Sequence, residues 1–161
     1  MKLRCTRAAQ LTSAPGPSWV VEHVGSTSVP GLAAKPVIDL ALRRPDGWSA
    51  DDVALALTDA GWTRPVAVGD HTATFLLLDG VRSAIGHVFT AQQWPQAHVR
   101  LFAQWLREHP ADRDAYGELK RTLVAAGVWG SPYTTAKGAF VLDVVNRARR
   151  AGGLPPVSGP L

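Results

Sequence analysis

Cysteine is nearly missing from this 161-residue chain. Cys5 stands alone, which excludes an internal disulfide and any cysteine-based metal site. Long hydrophobic runs are missing too: no stretch approaches the ~20 apolar residues of a membrane-spanning helix. The basic N-terminus is not followed by an apolar run of signal-peptide length. These absences lead us to expect a soluble, cytoplasmic protein with no membrane partner. No internal repeat or low-complexity tract is present. Hydrophobic residues make up 46% and charged residues 19%, an ordinary globular balance that excludes wholesale disorder. A chain of this size buries roughly 70% of the surface it exposes when unfolded and needs no staples.

The net charge of +4 would suit a polyanion, but its distribution argues against one. Lys2, Arg4 and Arg7 lie at one end, and Arg147, Arg149 and Arg150 at the other. Between positions 9 and 142 there are 11 basic and 12 acidic residues. A nearly neutral interior does not offer a nucleic-acid footprint; a small phosphate-bearing ligand suits it better. Lysine is scarce, with 4 against 13 arginines, and three of the four are Lys35, Lys120 and Lys137. An ammonium is a compact phosphate binder, so a chain that otherwise prefers arginine draws attention to the places where it keeps lysine.

The pattern along the chain predicts strands first and helices afterwards, an α+β fold. Residues 1–18 read as an irregular segment closed by Pro15 and Pro17. Trp19–Val24 is β-branched and aromatic, hence a strand, and residues 36–42 form a second that is apolar on both faces apart from Asp39. Ser49 with Asp52 three residues on reads as a helix start, and Gly61 as its end. Residues 72–78 and 81–90 form a hairpin about Asp79-Gly80. Helices follow near 93–108, 111–126 and 132–150. Residues 19–90 thus hold the sheet, 91–150 the helical part, and 151–161 read as a flexible tail.

One segment carries chemistry. Gly25 lets backbone approach a ligand, Ser26 offers a hydroxyl to a phosphate oxygen, and Asp39 is a carboxylate that must find a cation, a metal or several donors. Lys35 stands four residues before it. From these residues alone, a tight turn followed by a salt-bridged aspartate accounts for the pattern equally well. His23 and His87 each sit in a predicted strand and read either as packed or as functional. His71, His98 and His109 read as loop or helix-surface residues with no assigned role.

The run from His23 to Leu40, including Gly25-Ser26-Thr27-Ser28-Val29-Pro30-Gly31, resembles the signature of the GrpB family. Residues 106–110, then Tyr116, Leu119, Lys120, Tyr133, Lys137 and Phe140, resemble its C-terminal pattern, so the likeness covers about 19–148. The resemblance implies a nucleotidyltransferase-like fold: a short mixed sheet flanked by helices, with a helical portion beside it. It also implies that Gly25 and Ser26 sit at the phosphates and that Asp39 is an Mg²⁺ ligand. Two carboxylates ordinarily bracket the metals in such chemistry. Here the second position is Ala41, and His87 stands where a third acid is expected, which leaves two-metal catalysis in question.

The implied function is a nucleotidyltransferase-like enzyme that binds a nucleoside triphosphate with magnesium and acts on a small acceptor. Asp39, His87 and His23 are its expected catalytic residues. Gly25, Ser26, Thr27, Ser28, Lys35, Lys120, Tyr133 and Lys137 are its expected substrate- and phosphate-binding residues. A non-catalytic nucleotide- or small-molecule-binding module, or a metal-independent biosynthetic enzyme using His87 and Asp39 as an acid–base pair, remain open alternatives.

Overall fold

A computed structural model describes residues 18–159 and 161. The irregular segment expected for 1–18 lies almost wholly outside the described residues. The fold is α+β, with the elements β1 (Val20–Val24), β2 (Ile38–Arg43), α1 (Ala50–Asp59), β3 (Val66–Val68), β4 (His71–Leu78), β5 (Val81–Phe89), α2 (His98–Glu108), α3 (Pro110–Ala125) and α4 (Gly130–Ala151). The chain divides into two compact units. One comprises Lys35–Pro95 with the strand that ends at Val24; the other joins Gly25–Ala34 to Gln96–Leu161.

The first unit is a five-stranded mixed sheet in the order β1-β2-β5-β4-β3. Only β2 and β5 run parallel. The apolar strand β2 therefore lies inside the sheet, as a strand apolar on both faces should. The hairpin between β4 and β5 turns at Asp79 and Gly80, with φ of 53° and 74°. Two successive positive φ values match the right-handed twist of the strands, which is why an Asp-Gly pair sits there. Helix α1 starts at a reciprocal cap: Asp52 N–H donates to Ser49 Oγ, and Ser49 N–H donates to the Asp52 carboxylate. Its Val53 and Leu57 pack with Leu40, Leu42, Ala84, Val88, Trp19 and Trp62 on one face of the sheet. Sequence reading missed β3, a three-residue edge strand whose valines are all solvent-exposed.

Gly86 lies at the centre of that packed face. A Cβ there would stand 2.8 Å from Leu42 Cδ1 and 2.9 Å from Thr74 Cγ2. Both neighbours are buried, so neither can yield cheaply. Gly86→Ala is expected to destabilise the protein by about 1–3 kcal/mol, read as a lower midpoint in urea.

In the second unit, α2, α3 and α4 enclose a core of Phe102, Leu106, Tyr116, Val144 and Val145, joined by Val29 from the 25–34 segment. Pro110 opens α3, where its missing N–H removes nothing. The tail departs from expectation. Asn146 donates from Nδ2 to the Val157 carbonyl at 2.9 Å and accepts the Val157 N–H at 2.8 Å. Val157 then packs against the helical core, and Arg149 Nε donates to the Pro155 carbonyl at 2.6 Å. Residues up to Val157 are thus tied down by partners on α4 that the local Gly/Pro composition does not reveal.

Candidate functional site

Two groups of polar side chains stand out, one in each unit. In the first unit the alternation of β2 sends Asp39, Ala41 and Arg43 to the face opposite the α1 core. The antiparallel register with β1 sets Glu22 opposite Ala41. The parallel register with β5 sets His87 beside Ala41 on its other side. Glu22, Asp39, Arg43 and His87 therefore share one face. Oδ1 of Asp39 lies 3.8 Å from Nε2 of His87, an ion-pair separation longer than a hydrogen bond.

From β4, His71 reaches the same face. Its Nε2 is 3.0 Å from Nδ1 of His87, and its Nδ1 is 3.2 Å from Oδ1 of Asp70. The ring is buried and stacks on Phe89 with centroids 4.8 Å apart. Burial and the neighbouring His87 hold the His71 pKa below the usual imidazole range, against an opposing pull from Asp70. His71 is therefore neutral at physiological pH.

The structure brings together two of the three expected catalytic residues, Asp39 and His87. His23 pairs opposite Leu40, so it leaves the sheet on the other face and is exposed. A single step of strand parity separates it from Asp39. Ala41 is completely buried and carries no coordinating group. Asp39 belongs to no set of three converging metal-ligating side chains among the described residues. Magnesium demands oxygen donors in near-octahedral array, and two-metal transfer needs carboxylates to bridge the ions. On this face Asp39 and Glu22 are the carboxylates, and with His87 they form no converging set of three ligand atoms.

Sequence reading missed Glu22, Arg43, Asp70 and His71. Arg43 follows from strand parity counted from Asp39, whereas Glu22 needs the register of β1 with β2 as well. Arg43 Nε is buried and has no hydrogen-bond partner among the described residues.

In the second unit, Gly25 takes a φ of 67° that favours glycine and opens a single turn over Ser26–Ser28. Ser28 Oγ donates to the Gly25 carbonyl at 2.8 Å and accepts from Arg107 Nη2 at 2.7 Å. Lys120, from α3, donates from Nζ to Ser26 Oγ at 3.1 Å and to the Ala33 carbonyl, and lies 4.8 Å from the centre of the Tyr116 ring. Lys120 is buried, and that burial together with the charge of Lys137 pushes its pKa down to about 8. On α4, Lys137 Nζ sits 4.3 Å over the ring of Tyr133, whose hydroxyl pKa is raised by burial.

Seven expected binding residues, Gly25, Ser26, Thr27, Ser28, Lys120, Tyr133 and Lys137, thus belong to the helical unit, with Arg107 added by the structure. Lys35 is exposed and belongs to the sheet unit.

A sequence profile of the GrpB protein family matches residues 4–147. The chain belongs to the GrpB family. A UPF0157 protein of Halalkalibacterium halodurans is 36% identical to it over 80% of this chain and 66% of that protein. A UPF0157 protein of Streptomyces coelicolor is 34% identical over 88% of this chain and 75% of that protein. This GrpB chain therefore spans about two thirds to three quarters of the length of these relatives. A dephospho-CoA kinase of Mycobacterium leprae is 31% identical over 80% of this chain but only 38% of its own length. Among solved structures, GrpB from Enterococcus faecalis superposes with a TM-score of 0.76 at 25% identity, covering 94% of this chain and 93% of that one. The mixed sheet and helical portion are thus those of a GrpB protein. No described helix is long and apolar enough to cross a membrane.

Proposed function

We propose that this GrpB chain is a group-transfer enzyme that binds a phosphate-bearing small molecule, a nucleotide foremost, and uses His87 and Asp39 for acid–base chemistry. One observation carries the reading. Lys120 is a buried ammonium whose partners are a hydroxyl, a carbonyl and an aromatic face, and the charge of Lys137 acts against its protonated form. Burying a cation without a carboxylate is expensive, and a second cation beside it worsens the balance. A phosphate would supply the missing negative charge, and Ser26 would share its oxygens.

The nucleotide is favoured by resemblance: the matching Mycobacterium leprae protein is named a dephospho-CoA kinase. Because the match takes in little more than a third of that protein, its kinase chemistry is not carried over. In the sheet unit, Nε2 of His87 and Oδ1 of Asp39 lie 3.8 Å apart. A hydroxyl placed between them would donate to one of them and an amine to both, and either can lose a proton to the imidazole. Ala41 supports a second reading, a module that binds the nucleotide without turning it over.

The test is titration calorimetry with ATP, with and without Mg²⁺, on the wild type and on Lys137→Gln. Binding in the wild type that weakens about tenfold in the variant is expected, from the loss of one charge-assisted contact worth about 1.4 kcal/mol. No binding of ATP, ADP or inorganic phosphate, or binding indifferent to the variant, would sink the reading. A transfer product seen by mass spectrometry and lost in Asp39→Asn separates the enzyme from the binding module.

A further inference from the structure

The sheet unit holds a hydrogen-bonded chain, Asp70 to His71 to His87, that the proposed chemistry does not yet use. The His71 side chain is almost fully enclosed. Its two ring nitrogens have different neighbours: a carboxylate 3.2 Å from Nδ1 and an imidazole 3.0 Å from Nε2. A neutral imidazole carries one N–H and one lone pair. A carboxylate is an acceptor only, so the N–H of His71 belongs at Nδ1. That leaves Nε2 of His71 as an acceptor, and the nitrogen facing it must donate. The N–H of a neutral His87 then belongs at Nδ1, and its lone pair at Nε2.

We propose that His71, oriented by Asp70, is a positioning residue that holds His87 in its Nδ1–H tautomer, so that a bare Nε2 is presented beside Asp39 to a hydroxyl or amine donor of the substrate. The geometry of the sheet supports this. His71 and His87 are diagonal neighbours on paired antiparallel strands, and Asp39 and His87 are diagonal neighbours on paired parallel strands. The three side chains therefore form one row across β4, β5 and β2. His71 is also locked in rotation by its stack on Phe89. Its ring cannot turn to offer the other nitrogen without leaving both partners. The Gln93 side chain donates to the Asp70 carbonyl, which fixes the loop that carries the carboxylate.

Other ionisable groups on this face are Glu22, Arg43 and Arg82. Glu22 lies opposite Ala41, Arg43 is two residues beyond Ala41 on β2, and the Arg82 guanidinium lies 4.3 Å over the Phe75 ring. None of them replaces His71 as the partner of His87 Nδ1. Without that partner, Asp39 would favour a proton on His87 Nε2, the atom facing it. The carboxylate and His71 thus pull the imidazole toward opposite tautomers, and the shorter contact, at 3.0 Å against 3.8 Å, decides for His71. A substrate donor would then meet an acceptor already free of its proton.

The proposal rests on the acid–base role of His87, but the tautomer can be read without any ligand. Two-bond ¹H–¹⁵N correlation spectra distinguish the neutral imidazole forms directly. In the wild type, at a pH where both imidazoles are neutral, His87 is expected in the Nδ1–H form. In His71→Phe, which keeps a ring against Phe89 but offers no acceptor, it is expected to shift mainly to Nε2–H. In His71→Gln, whose carbonyl can accept the same hydrogen bond, the Nδ1–H form should return. His87 found as Nε2–H in the wild type, or unchanged in a folded His71→Phe, would overturn the proposal. Should His71→Phe fail to fold, the wild-type spectrum decides alone. ATP calorimetry on the same samples reads the phosphate proposal separately, since Lys137 and Lys120 are not on this row.

Discussion

Lys120→Met should abolish phosphate binding and yet make the protein more stable at neutral pH. The folded-state pKa of Lys120 is about 8 against an ordinary 10.5, lowered first by burial and then by Lys137. Below about pH 8 the folded and unfolded states both hold the proton, and the buried cation opposes folding in full. Between about 8 and 10.5 the unfolded chain binds a proton that the folded one has released, so stability rises with pH. Above 10.5 the penalty has gone. The shift corresponds to about 3 kcal/mol at pH 7.

Methionine keeps an unbranched stem of similar length and removes the charge. It also forfeits the donations to Ser26 and Ala33, each worth roughly 1 kcal/mol. A net gain of about 1 kcal/mol is expected at pH 7. Urea denaturation at pH 7 and near pH 10 checks this: the advantage must be present at the first and reversed at the second. A variant less stable than wild type at pH 7 would contradict it. Phosphate affinity in the wild type should likewise fall as pH rises through 8, because the protonated amine is the binding form.

The second large effect lies in the sheet unit. Leu57 is fully buried between α1 and β2, in one cluster with Leu40, Leu42 and Val53. Leu57→Ala should lower stability by about 2–5 kcal/mol, since the cavity adds to the lost transfer energy. Leu55, two residues earlier, is 63% exposed. Leu55→Ala should change stability by less than about 0.5 kcal/mol. Thermal melts followed by circular dichroism compare the two directly. Equal losses would mean that α1 does not present the face seen here.

Much of this arrangement can be read from residues. The Asp79-Gly80 turn, the Ser49–Asp52 cap and the Pro110 and Gly61 boundaries act over three or four positions, where local chemistry decides. Asp39 is legible because a lone carboxylate in an apolar strand demands a partner. Finding that partner is another matter. His87 is 48 residues from Asp39 in the sequence, and they meet only because β5 joins β2 in parallel. His71 looks like a loop residue because Gly69 and Asp70 precede it, and its burial depends on Phe89 across the hairpin. The docking of Val157 on Asn146 is hidden for the same reason: composition reports what a segment prefers alone, not what an amide eleven residues earlier can hold.

The division at Val24 and Lys35 has a practical bearing on dissection. The chain crosses from one unit to the other at Val24, at Ala34 and at Pro95, so no single cut separates them. A fragment beginning at residue 96 would lose Val29 from its apolar centre, and Lys120 would lose both its oxygen partners at once. A sheet fragment lacking 25–34 would need its first and second strands rejoined by a synthetic bridge. The 25–34 segment is in effect an insertion carried between two neighbouring strands. Grafting or swapping it means transplanting ten consecutive residues into a helical host that supplies their ammonium partner.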